Sequence, residues 1–109
     1  MEFTTLKKNN SLVIKIIGRM DASNSQLFEK EANSFIDNDN ETNIVVDLEE
    51  LEYISSAGLR SILIVGKKLK SLNGSLKLCN LNGMVEEVFE ISGFSAIFKT
   101  FDSLEEAVE

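Results

Sequence analysis

Two adjacent serines, Ser55 and Ser56, stand where a short polar stretch gives way to a segment of helical periodicity. A serine hydroxyl can cap a helix, attack a substrate if a base activates it, or accept a phosphate. The flanking residues decide between these. Asn43 to Leu48 is nearly all apolar at its centre, as a strand covered on both faces should be. Glu49 to Glu52 is a polar turn, followed by Tyr53 and Ile54. From Leu59 onward, Leu59, Ile62, Leu63, Gly66 and Leu69 fall on one helical stripe. The serines therefore sit at a strand-to-helix junction, where the first backbone N–H groups of the helix lack internal partners. A serine is a favoured N-cap there, but one cap suffices and two serines are present. Gly58, in the first turn, costs about 1 kcal/mol relative to alanine, which predicts a close backbone approach. A helix start also stabilises negative charge, so the junction suits a phosphoserine switch. Plain capping is the alternative.

Catalysis by these serines lacks its usual parts. The chain has no histidine and one cysteine, so neither a Ser-His-Asp nor a Cys-His site can be assembled from it. No Gly-x-Ser-x-Gly elbow and no glycine-rich phosphate loop occurs. The reading is a binding module, not an enzyme, with no cofactor and no metal. The net charge of −7 and the pI near 4.6 oppose nucleic acid and anionic membrane surfaces, and favour a basic patch on a protein partner. No apolar run nears the roughly 20 residues of a membrane span, and the N-terminal residues do not form a signal peptide. The single Cys79 fits a reducing compartment, so a cytoplasmic location is expected.

The junction Ser55-Ser56-Ala57-Gly58-Leu59 resembles the signature of the STAS domain of bacterial anti-sigma factor antagonists. Gly18-Arg19-Met20-Asp21 is similar to that family's Gly-x-x-Asp before its first long helix, and the likeness spans essentially the whole chain, 1–109, as a single domain. The resemblance implies that Ser56, two residues before the glycine, is the phosphorylated serine. It implies that Asp21, Ser55, Ala57, Gly58, Leu59 and Arg60 surround the phosphosite and meet the partner. Many members carry Asp at the position of Ser55 and Ser or Thr at that of Ala57, so a second phosphosite at 57 is lost here. By the same resemblance, the unphosphorylated chain binds an anti-sigma factor that doubles as a serine kinase of the GHKL type, and so frees a sigma factor. A metal-dependent serine phosphatase restores that state. A phospho-switch module in another signalling assembly is the alternative reading.

The remaining chain must position that junction. Phe3 to Lys8 and Leu12 to Ile17 read as strands joined by a tight turn at Asn9-Asn10. Ser23 to Gln26 reads as a capping box, opening a helix with Leu27, Phe28, Ala32, Phe35 and Ile36 inward. Asp21 is either a turn group or part of the phosphosite. A second helix runs from about Ala57 to Leu72, with Gly74 as its C-terminal cap and Lys67, Lys68 and Lys70 offsetting its dipole. Ser75 to Asn80 reads as a strand, and Asn82 starts a third helix that presents Glu86, Glu87 and Glu90 outward. A last short strand lies near Ile97 to Thr100, and Ser103 to Glu106 boxes a terminal helix. This order predicts an α/β fold: about five strands in a mixed, mostly parallel sheet, with four helices mainly on one face. Lys15, alternating with buried-type residues, marks the less covered face.

Overall fold

The computed structural model describes residues 1–109. Strands β1 (Glu2–Lys8) and β2 (Ser11–Met20) form an antiparallel hairpin, turned by Asn9 and Asn10, both at positive φ. Helix α1 (Ser25–Asp39) leads to β3 (Asn43–Asp47), and β4 (Leu51–Ile54) leads to α2 (Ser56–Ser71). Next come β5 (Ser75–Cys79), α3 (Gly83–Ile91), a 3-10 turn (Phe94–Ala96), β6 (Lys99–Phe101) and α4 (Leu104–Ala107). The sheet order is β1-β2-β3-β5-β6, with every pairing after the hairpin parallel.

The added strand, β4, matters most for the site. Strand β2 is ten residues long and outruns β3, which pairs only with Leu12–Lys15. Its far end pairs with β4 instead, after a register shift between Gly18 and Arg19. Gly18 takes φ +102, a conformation that L side chains rarely adopt, and its N–H donates to the Glu50 carbonyl at 3.0 Å. The short run Glu49 to Ile54 hides this strand in the sequence, because only four residues pair and the charged Glu52 interrupts them.

The two faces differ as Lys15 implied. Leu12, Ile14 and Ile16 point into the main core with Phe28 of α1, Ile62 and Val65 of α2 and Phe89 of α3. The opposite face packs a smaller apolar cluster, Val13, Val45 and Cys79 under Ala107 and Val108, next to half-buried Phe101 and Leu104 and with Asp47 buried beside it. So α1, α2 and α3 cover one face and α4 alone covers the other. Lys15 sits on that thinner side, paired with Glu50 at 2.8 Å and Glu49 at 3.3 Å. The carboxylate of Glu50 raises the Lys15 pKa against a smaller opposing effect of burial.

Three local expectations are corrected. No capping box opens α1: Asn24 is the N-cap residue, and its side chain instead accepts from the Asp21 N–H and donates to the Arg19 carbonyl. Leu27, placed inward by the stripe, is 53% exposed. After α2 the left-handed residue is Asn73, not Gly74. Gly74 is needed for space, since a Cβ there would lie 1.9 Å from the Thr42 carbonyl oxygen. The C-terminal box holds, with the Ser103 hydroxyl accepting from the Glu106 N–H at 3.2 Å.

Candidate functional site

The two serines have different tasks. Ser55 is the N-cap of α2: its backbone is extended, and its hydroxyl oxygen accepts from the Gly58 N–H at 3.3 Å. Its own N–H donates to the Met20 carbonyl at 2.9 Å, which ties the helix start to the end of β2. Ser56 is the first helical residue, is exposed, and its hydroxyl makes no hydrogen bond within the chain. The N–H groups of Ser56 and Ala57 are likewise without partners in the chain, as helix geometry requires. A free hydroxyl thus stands beside unpaired donors at the positive end of a 16-residue helix.

Arg60 follows Ser56 by four residues and is exposed, so the two share a helical face. Ile64 continues that stripe and is 44% exposed. Helix α1 runs alongside in parallel, held by the Ser61 hydroxyl on Glu29 at 2.7 Å and by Lys68 on Asn33 and Asp37 at 3.0 and 2.9 Å. Exposed Leu27, two residues before Glu29, lies on the side of α1 turned away from α2.

Gly58 and Leu59 are buried. Gly58 has a packing cause: a Cβ there would stand 2.8 Å from Ile54 Cγ1 and 3.0 Å from Met20 Cγ. The close approach is between α2 and the β2–β4 pair. Leu59, 6% exposed, joins the main core. Ala57 is half-buried beside the free donors.

Asp21 follows Met20, which pairs with Ile54, so Asp21 and Ser55 leave the same edge of the sheet. Asp21 works as a turn group: its Oδ1 accepts from the Ser23 hydroxyl at 2.6 Å and the Ser23 N–H at 2.9 Å. These bonds, the hydroxyl foremost, hold its carboxyl below the usual carboxylate range, with help from Arg19. Its charge is therefore firm at neutral pH, at the rim of the serine junction. Arg19, inside the Gly18 to Asp21 motif, has a partner that the sequence does not display. Its guanidinium lies 4.4 Å from the centre of the Tyr53 ring, because Arg19 and Tyr53 are partners across β2 and β4. Only knowledge of β4 would have revealed that pair. Cys79 lies in the smaller core, where burial pushes its thiol up to about 12, so it is no nucleophile at neutral pH.

The chain matches the family model of the STAS domain over residues 2–107. It is similar to BtrV of Bordetella bronchiseptica, provisionally named an anti-sigma factor antagonist, with 42% identity over 107 residues, covering 98% of this chain and 91% of that one. The crystal structure of a protein from Thermotoga maritima, given the same provisional name, superposes with a TM-score of 0.86 at 25% identity, covering 96% and 90% of the two chains. The phosphorylated form of the Bacillus cell fate determinant SpoIIAA shares the fold, with a TM-score of 0.75 at 22% identity, over 98% and 96%.

Proposed function

This chain belongs to the STAS domain family, and we propose that it acts there as an anti-sigma factor antagonist switched by phosphorylation of Ser56. The observation that carries the reading is the division of labour at the junction. Ser55 already caps α2, which leaves the Ser56 hydroxyl exposed and unbonded. The unphosphorylated chain would dock an anti-sigma factor through the exposed stripe Ser56, Arg60 and Ile64, with the Asp21 turn at its margin. Occupied in this way, the anti-sigma factor releases its sigma factor.

The switch follows from charge. A kinase moves the terminal phosphoryl group of ATP to Ser56 Oγ, forming a phosphate ester and releasing ADP and the hydroxyl proton. The ester adds about −1.5 to −2 charge to a chain already at −7. Within the fold it is tolerated, because free N–H groups and the Arg60 guanidinium lie on the same face. At the contact it must be desolvated, and docking weakens. Hydrolysis by a metal-dependent serine phosphatase returns the hydroxyl. The kinase is the anti-sigma factor itself, of the GHKL type.

Phosphopeptide mapping after incubation with the cognate kinase and ATP tests the assignment. The phosphate is expected on Ser56. Its appearance on Ser55, or no incorporation at all, overturns the reading.

A further inference from the structure

One cavity of ligand size is present, a groove of about 560 Å3 between the C-terminal half of α2, the start of β5 and the segment entering β6. Small-molecule sites commonly measure about 300–1,000 Å3. The floor is apolar, formed by Leu63, Leu76, Phe98 and Ile97, the last 57% exposed. Gly66 lets that floor form: a Cβ there would stand 2.6 Å from Phe98 Cε1, so its absence seats the ring against α2.

The polar lining is one-signed. Lys67 and Lys70 come from α2, Lys77 from β5 and Lys99 from β6, and no aspartate or glutamate lines the groove. This is unexpected in a chain with 18 acidic and 11 basic residues. The chain's ion pairs use Lys7, Lys15 and Lys68, and none of the four groove lysines takes part. Lys77 has other contacts, reaching the Ala107 carbonyl at 3.5 Å and the Phe101 ring at 5.7 Å on the α4 side. Lys99 is the register partner of Lys77 on parallel β6 and so takes the α4 side as well, which leaves Lys67 and Lys70 at the groove. The helix dipole accounts for Lys70 in the last turn of α2, but Lys67 lies before that turn. An apolar floor with a cationic, carboxylate-free rim complements one kind of ligand. We propose that this groove binds an amphipathic anion, an aliphatic chain with a single carboxylate or phosphate head. The chain lies along Leu63, Leu76, Ile97 and Phe98, and the head sits at Lys67 and Lys70. Gly66 is ten residues along α2 from Ser56, roughly 15 Å at the helical rise, so the groove is separate from the serine junction.

The test is an amide chemical-shift titration of the full chain with decanoate, decyl phosphate, butyrate and decyltrimethylammonium, each below its micelle concentration. Decanoate or decyl phosphate should give saturable shifts centred on Leu63 to Lys70, Ser75 to Lys77 and Ile97 to Lys99, and the tighter of the two identifies the head group. Butyrate should bind at least about tenfold more weakly, and the cation should not shift these amides. K67Q/K70Q and Ile97→Glu change exposed residues, so both should stay folded, and each should weaken binding about tenfold or more. Four results overturn the proposal: no saturable shift with either anion, shifts centred elsewhere, equal binding of the cation, or unchanged affinity in both variants. Sedimentation with phosphatidylglycerol vesicles without any response to monomeric decanoate or decyl phosphate would also overturn it, by assigning the lysines to a membrane surface.

Discussion

Gly58→Ala places opposing effects at one atom. In the first turn of α2, alanine is favoured over glycine by about 1 kcal/mol from helix propensity alone. Against this stands the space. The new Cβ would lie 2.8 Å from Ile54 Cγ1, 3.0 Å from Met20 Cγ and 3.3 Å from the Met20 carbonyl oxygen. The first two are roughly 0.7 and 0.5 Å inside the lower end of the ordinary carbon–carbon optimum of about 3.5–4.0 Å. Neither neighbour can yield easily, because Ile54 is 2% exposed and Met20 0% exposed. The Met20 carbonyl is also held, since it accepts from the Ser55 N–H at 2.9 Å. Overpacking of this kind costs about 1–3 kcal/mol. Taking about 2 kcal/mol for overpacking against about 1 for propensity leaves a net loss of about 1 kcal/mol. In a domain of this size that lowers Tm by about 4 °C. Urea unfolding followed by far-UV circular dichroism should show a lower midpoint with an unchanged slope. A variant as stable as the wild type, or more so, would refute the packing account of Gly58.

The paired serines should separate in the same assay. Ser55→Ala should lose about 1 kcal/mol, as a missing cap does, while Ser56→Ala should stay within about 0.5 kcal/mol of wild type. Equal losses would contradict the assignment of Ser55 as the cap. Ser23→Ala should return the Asp21 carboxyl towards its ordinary range, measured by following its side-chain carbon resonance with pH. Because the folded value is depressed, the stability that Asp21 contributes is present above the unfolded value of about 3.9 and is lost as pH falls through the folded value. The Ser23→Ala variant should therefore show a weaker acid dependence; an unchanged titration counts against the Ser23 bonds. Cys79, pushed up to about 12, should resist iodoacetamide in the folded chain at pH 8 and react once urea unfolds it. Rapid labelling of the native chain would contradict its burial.

The fold was legible wherever one period ran unbroken. The stripe of α2 and the alternation of β2 about Lys15 give the elements and the unequal cover of the sheet. Strand β4 was not legible, because its identity depends on pairing with the overhanging end of β2 and not on a pattern of its own. Arg19 against Tyr53 was lost with it. In α1 the stripe counted Leu27 inward, although an apolar residue at the entry to a helix can face outward where a neighbour does not cover it. At the serine junction, residue types and spacing located the helix start, and two candidate caps were visible. Which serine caps was not, since Ser55 differs from Ser56 only in its extended backbone and its bond to Gly58. The burial of Gly58 and Leu59 was hidden for a related reason: sequence proximity to Ser56 does not convey which side of the helix a residue takes.

The central claim is that an unoccupied Ser56 hydroxyl permits docking and that charge there ends it. Calorimetric titration of the cognate anti-sigma factor kinase with wild type, Ser56→Ala and Ser56→Asp tests this most directly. The account predicts that Ser56→Ala binds like the unphosphorylated wild type and persists in the presence of ATP. It predicts that Ser56→Asp binds more weakly, but less so than the phosphorylated chain, because Asp carries about one charge where phosphate carries nearly two. Equal affinities for all three proteins, or tighter binding by Ser56→Asp, would contradict it.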